Sequence, residues 1–184
     1  SVEEGEAAFY GPKIDIMVRD SIGRMWQLTT VQLDFNQPEN FNMTYTGEDG
    51  KDHKPAVLHV AILGSVERFM GILIEHYAGH FPLWLSPVQA RVIAIGEKFQ
   101  SYGEKILAEL KSAGIRAELA DCNETLGKRI RQAQIEKIPY VLVVGENEEK
   151  AGTIAVRHFK LGDLKTIPTA DLITRLQQEI KEKQ

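Results

Sequence analysis

An apolar run that turns through Gly64 and Ser65 into a second apolar run constrains this chain more than any other stretch. His59-Val60-Ala61-Ile62-Leu63 has the make-up of a strand, and Val66-Glu67-Arg68-Phe69-Met70-Gly71-Ile72-Leu73 that of a helix. Glycine at the joint lets a ligand approach the backbone closely. The first helical turn, with Arg68 on it, presents positive charge to an anion. The same residues also describe an ordinary strand–helix junction with a surface Glu67–Arg68 pair, so the flanking sequence has to decide.

Upstream, residues 9–16 and 25–35 flank a polar, glycine-containing turn at 19–24, and their Val, Ile, Trp, Thr and Phe content predicts a β-hairpin. Gln27, Thr29, Thr30 and Gln32 interrupt the second run. Polar groups are costly to bury unless paired, so a strand carrying several is half exposed or lines a polar site.

A boundary falls at residues 79–87, where Pro82 and Pro87 end the helix that carries Arg68. Beyond it, strands and helices alternate. Residues 90–95, 115–119, 140–144 and 152–159 read as strands, and 98–113, 125–137 and 170–183 as helices, with Gly114 as a stop. That alternation predicts a small α/β domain with a mixed, largely parallel sheet flanked by helices.

Three strings in register carry a family resemblance: Tyr10-Gly11-Pro12-Lys13; then Trp26-Gln27, Thr30, Gln32-Leu33-Asp34-Phe35; then His59, Ala61-Ile62-Leu63-Gly64-Ser65 and Glu67-Arg68-Phe69. In this order they resemble bacterial threonyl-tRNA synthetases, a class IIa family, over essentially the whole chain. The third string resembles motif 3 of class II synthetases, at about residues 58–74. Gly127-Lys128-Arg129-Ile130-Arg131, Ile138–Gly145 and Gly152–Arg157 resemble the anticodon-binding domain shared within class IIa. The implied fold is α/β (α+β): residues 1–82 as the C-terminal part of an antiparallel-sheet catalytic domain, and 83–184 as the anticodon-binding domain.

The resemblance implies a threonine–tRNA ligase that forms threonyl-adenylate from ATP and then charges threonine tRNA, working in the cytoplasm as a homodimer. It puts Arg68 over the β,γ-phosphates with Mg2+, and Gln27, Thr30, Gly64 and Ser65 beside the adenylate. Tyr10, Lys13, Gln32 and His59 are implied to line the threonine site, with His59 as a Zn2+ ligand. The family's two other zinc ligands and its motif 2 arginine are expected upstream of Ser1, and the chain alone to bind zinc weakly or not at all. His53, His76, His80 and His158 have no ligand-like spacing with Cys122.

In the second domain the resemblance makes Asn123, Glu148 and Arg157 readers of anticodon bases, while Lys128, Arg129 and Arg131 suit phosphates. The residues by themselves leave other readings open: Asn123 as a helix N-cap, Arg157 with Glu148 as a surface ion pair, His59 as a satisfied core histidine. Val60, Thr29 and Thr125 depart from the family pattern, which touches details of substrate contact. A catalytically inactive RNA-binding protein of the same modules, or a sister class IIa ligase, also remains open.

Charge narrows the choice little. Residues 1–85 carry 6 basic and 12 acidic groups and residues 86–184 carry 16 and 14, so only the second half leans positive, which permits RNA binding. A single cysteine, Cys122, excludes an intramolecular disulfide and suits a reducing compartment. No apolar run is long enough to span a bilayer, so no membrane partner is expected. The opening Ser1-Val2-Glu3-Glu4, without methionine or a basic start, reads as a fragment.

Overall fold

The computed structural model describes Gly5 and residues 7–183. The chain divides into two compact units, Ser1–His76 and Tyr77–Gln184.

In the first unit, β1 (Lys13–Arg19) and β2 (Met25–Asp34) form the predicted hairpin, with Lys13 opposite Gln32 and Arg19 opposite Met25. Asp20 closes its turn. The buried carboxylate accepts from the Ile22 and Arg24 backbone N–H groups, the Arg24 guanidinium and the Trp26 indole, at 2.6–3.1 Å. Burial alone would raise the pKa of Asp20, but these donors outweigh it and hold the group well below the usual carboxylate range. A short helix α1 (Asn36–Asn40) follows, then a two-stranded ribbon, β3 (Tyr45–Thr46) with β4 (Asp52–His53). These small elements have no periodicity long enough to announce them.

The run before the glycine is β5 (Val57–Ala61), antiparallel to β2, which gives the sheet order β1-β2-β5. Gly64 then takes a left-handed φ of 66°, where a Cβ would lie 3.0 Å from the Leu28 carbonyl oxygen, and the chain enters α2 (Val66–Tyr77). Both the backbone angle and the close approach call for glycine.

The second unit is built on a five-stranded sheet of order β10-β9-β8-β6-β7. Its parallel part comprises β6 (Ala90–Ala94), β7 (Ala117–Leu119) and β8 (Tyr140–Val144). Helix α3 (Gln100–Ser112) links β6 to β7, and α4 (Leu126–Ile135) links β7 to β8. The parallel pairing expected from the alternation stops there. Only the six-residue α5 (Glu146–Ala151) separates β8 from β9 (Thr153–His158), and β10 (Gly162–Pro168) follows almost at once. Such connections are too short for a crossover, so β9 and β10 run antiparallel. Helix α6 (Thr169–Glu182) closes the chain.

Side chains of β8 alternate between two apolar layers. Tyr140, Leu142 and Val144 pack with Ile106, Leu110, Leu172 and Leu176 from α3 and α6; Val141 packs with Ala133 of α4 and with Ile138. A strand covered on both faces has no polar position to spare, which is why Tyr140–Val144 reads as one apolar run.

Candidate functional site

One face of the first sheet gathers five of the residues singled out from the sequence: Lys13, Gln27, Thr30, Gln32 and His59. Lys13, Gln32 and His59 are paired across the three strands, and Asp15, Thr30 and Ala61 form the neighbouring row, two residues along each strand and so on the same face. Asp15 ties the rows together. It accepts from the Lys13 ammonium at 2.8 Å, the Thr30 hydroxyl at 2.7 Å and the Gln27 amide at 2.6 Å, and that amide also reaches Thr30 Oγ1 at 2.9 Å. Lys13 and Thr30 lead in lowering the Asp15 pKa, so the carboxylate stays ionised and the network keeps its orientation.

At the other edge His59 Nε2 lies 2.9 Å from Asp34 Oδ2. The ring of Tyr10 stands edge-on to that of His59 at 6.4 Å. Tyr10, Gln32, Asp34 and His59 help line a cavity of about 430 Å³. Tyr10 is brought there because Gly11 lets the chain pass against β2: a Cβ on Gly11 would lie 2.1 Å from the Leu33 carbonyl oxygen. His59 is therefore no core residue. Its side chain is 42% exposed, with a carboxylate partner.

Arg68 extends from the first turn of α2 back to β2. Its guanidinium donates to the Gln27 carbonyl at 3.2 Å and lies 5.7 Å from the Trp26 ring centre, while its backbone N–H donates to Ser65 Oγ. Arg68, Ser65 and Gly64 thus sit at the Gln27 end of the Asp15 network. Asp15 and Asp34 are not among the site residues expected from the sequence. Their signal was available: each lies two residues along a strand from a residue already chosen (Lys13 and Gln32) and so shares its face.

The second unit spreads its candidates out. Asn123 is exposed and donates its amide to Asp121 Oδ2 at 2.7 Å. The N-cap of α4 is Thr125, not Asn123, because its hydroxyl is the group that accepts from Lys128 N. Glu148 caps α5 by accepting from the Gly145 N–H at 3.0 Å. Arg157 lies on β9 opposite Val141, and its charged neighbour is Asp163 at 4.0 Å, so the Glu148 ion pair is not formed. Arg157 lines a cavity of about 430 Å³ with Gln134, Lys137, His158 and Phe159, while Asn123 and Glu148 do not.

Lys128 and Arg131 are exposed, Lys128 paired with Glu124. Arg129 departs from expectation. It is 6% exposed, and its guanidinium donates to the carbonyls of Ala94 at 2.7 Å and Ile95 at 3.3 Å. It braces the end of β6 from inside, with its donors turned to backbone carbonyls and not to solvent.

Residues 2–77 match the family described as tRNA synthetase class II core domain (G, H, P, S and T), and residues 89–179 match the anticodon binding domain family. The chain belongs to the threonyl-tRNA synthetase family, as its C-terminal region. It is 53% identical over 182 residues to the threonine–tRNA ligase of Carboxydothermus hydrogenoformans, covering 99% of this chain and 29% of that protein. It is 52% identical to a threonine–tRNA ligase of Thermus thermophilus, covering 100% and 28%, and 55% identical to that of Chloroherpeton thalassium, covering 97% and 27%. The crystal structure of the RNA binding domain of threonyl-tRNA synthetase from Cryptosporidium parvum superposes with a TM-score of 0.86 at 37% identity, over 95% of this chain and 44% of that one. The chain spans less than a third of the length of these curated relatives.

Among the described residues no group of three or more His, Cys, Asp or Glu could hold a metal ion, and no helix is long and apolar enough to cross a membrane. A half-exposed, carboxylate-paired imidazole on a cavity wall suits a single ligand to zinc, so His59 fits that ion as one contributor.

Proposed function

We propose that this chain is the tRNA-reading end and part of the active-site floor of a threonine–tRNA ligase, which activates threonine with ATP and transfers it to threonine tRNA. The observation that carries the reading is the union of 53% identity to a threonine–tRNA ligase along nearly all of this chain with a single polar sheet face holding Lys13, Gln27, Thr30, Gln32 and His59. The threonine carboxylate attacks the α-phosphate of ATP, and pyrophosphate leaves. No side chain of this chain has to act as nucleophile; its work is positioning and charge stabilisation.

In this reading Gln27 and Thr30, held by Asp15, stand beside the adenylate. Gly64 keeps the strand–helix joint free of a side chain. Arg68, steadied by the Gln27 carbonyl and the Trp26 ring, meets the β,γ-phosphates of Mg2+-bound ATP. Tyr10, Lys13, Gln32 and His59 surround threonine. His59 would supply one ligand to a zinc ion, which when bound contributes Lewis-acid recognition of the amino and hydroxyl groups of the substrate. The domain at 83–184 meets the anticodon loop, with Asn123, Glu148 and Arg157 at base edges and Lys128 and Arg131 at phosphates. Work in the cytoplasm and a homodimeric enzyme belong to the same reading.

Arg68→Ala in the full-length enzyme tests it. Loss of one preorganised charge contact to phosphate is expected to cost on the order of 3 kcal/mol, about a hundredfold in the rate of threonine-dependent pyrophosphate exchange. Exchange at a near-normal rate would make Arg68 a surface residue and remove the centre of the proposal.

A further inference from the structure

We infer that Asp34 is a positioning residue that decides which nitrogen of His59 is free to bind a metal. His59 Nε2 lies 2.9 Å from Asp34 Oδ2. Asp34 cannot turn away, because its other oxygen accepts from the backbone N–H groups of Asn36 at 2.8 Å and Gln37 at 3.0 Å, and its side chain is 2% exposed. An ionised carboxylate only accepts hydrogen bonds, so Nε2 carries the ring proton and the neutral imidazole keeps its lone pair on Nδ1.

The order of control runs from backbone to carboxylate to ring. The turn after β2 fixes Asp34; Asp34 fixes the tautomer and orientation of His59; the ring leaves Nδ1 to ligate. Hydrogen-bonded partners of this kind fix metal-bound histidines, and losing them costs about 10–100-fold in metal affinity. The inference rests on the proposed zinc role of His59.

Asp34→Asn separates this role from simple support of the turn. The two backbone N–H groups need an oxygen, so the asparagine keeps its carbonyl there and must aim its NH2 at His59. A donor facing Nε2 drives the ring proton to Nδ1 and blocks that nitrogen as a ligand. The turn is preserved while the tautomer is reversed.

In the full-length enzyme, chelator competition should show Asp34→Asn losing zinc affinity about 10–100-fold with its far-UV circular dichroism unchanged. In the 184-residue chain, at a pH where the ring is neutral, imidazole 15N shifts should report His59 as protonated on Nε2, and on Nδ1 in Asp34→Asn. The measurement on the unsubstituted chain needs no variant to fold. A ring protonated on Nδ1 in that chain, or wild-type zinc retention by Asp34→Asn, would overturn the inference. His59→Ala distinguishes the two levels. Zinc retained by His59→Ala defeats the zinc reading and this inference with it, whereas zinc lost by His59→Ala but kept by Asp34→Asn defeats this inference alone.

Discussion

The two units of the chain bury different kinds of side chain. In the second unit, apolar residues of β6, β8 and β9 close into two layers under α3, α4 and α6, with Val92, Leu142, Val156 and Leu176 fully removed from water. In the first unit, the described buried residues are Asp20, Leu28, Asp34 and Pro38, two of them carboxylates. Its apolar side chains Ile14, Ile16, Leu58 and Val60 stay between 52% and 67% exposed on the sheet face opposite Lys13, Gln32 and His59. One unit spends its burial on cohesion, the other on framing a polar face. Buried carboxylates serve that purpose because each accepts several fixed donors, and a charge held this way orients its neighbours.

The sharpest way to break that contrast is to delete matching methyl groups from each unit. Leu142→Ala empties a packed layer and should cost about 2–5 kcal/mol of unfolding free energy in the second unit. Leu58→Ala, 59% exposed in this chain, should cost less than about 0.5 kcal/mol. Urea unfolding of the purified chain, followed by near-UV and far-UV signals separately, reads both. A large cost at Leu58 would mean that its face is covered in solution, and the contrast would fall.

The same contrast explains what the sequence let us see. The α/β alternation of the second unit was legible because its helices carry an apolar stripe, as in Ile106 and Leu110 of α3, and its central strands read as short apolar runs, as in Tyr140–Val144. β10 and α5 were not, because neither Gly162–Pro168 nor Glu146–Ala151 has a fully buried residue and so neither leaves a clear periodic mark. In the first unit the family strings single out Lys13 and His59 but give no role to the acids that hold them, Asp15 and Asp34. Asp15 and Asp34 act across strands, and pairing partners are set by register, which a linear string does not state. Arg129 misled for a related reason. Its neighbours Lys128 and Arg131 are exposed, and a helix turns each successive residue by about 100°, which here carries Arg129 inward to the Ala94 carbonyl.

If the second unit binds RNA with a preformed, rigid scaffold, base selectivity and bulk affinity should come apart. Arg157→Ala is expected to narrow the gap between cognate and altered anticodon stem-loops by about 1–3 kcal/mol, by analogy with base-edge readout. Arg131→Ala should weaken both loops about equally and lower the salt dependence of binding. Fluorescence titration of the chain against both loops at fixed salt decides it. Equal weakening of both loops by Arg157→Ala would reduce Arg157 to a charge on the surface.

The smallest expected effect probes cohesion in the second unit through one ring. Burial, with help from Arg175 and Lys160, pushes the His158 pKa down to about 4 from its ordinary 6.5, and its Nδ1 accepts from the backbone N–H groups of Lys160 and Leu161. The folded ring therefore stays neutral where the unfolded ring takes up a proton. Stability from this group is fully present above pH 6.5, falls as pH drops through that value, and has been lost by about pH 4. For a half-buried ring the loss, discounted for solvent screening, is on the order of 1 kcal/mol. Asp20, with its pKa depressed from the usual 3.8, loses its contribution only below this window, and it belongs to the other unit. His158→Asn places an amide oxygen where Nδ1 accepts and removes the titration. The wild-type urea midpoint of the second unit should decline from pH 7 to pH 4.5 more steeply than that of His158→Asn. Parallel declines would show that the ring is solvated, and that the layer beneath Tyr140 is less closed than its neighbours.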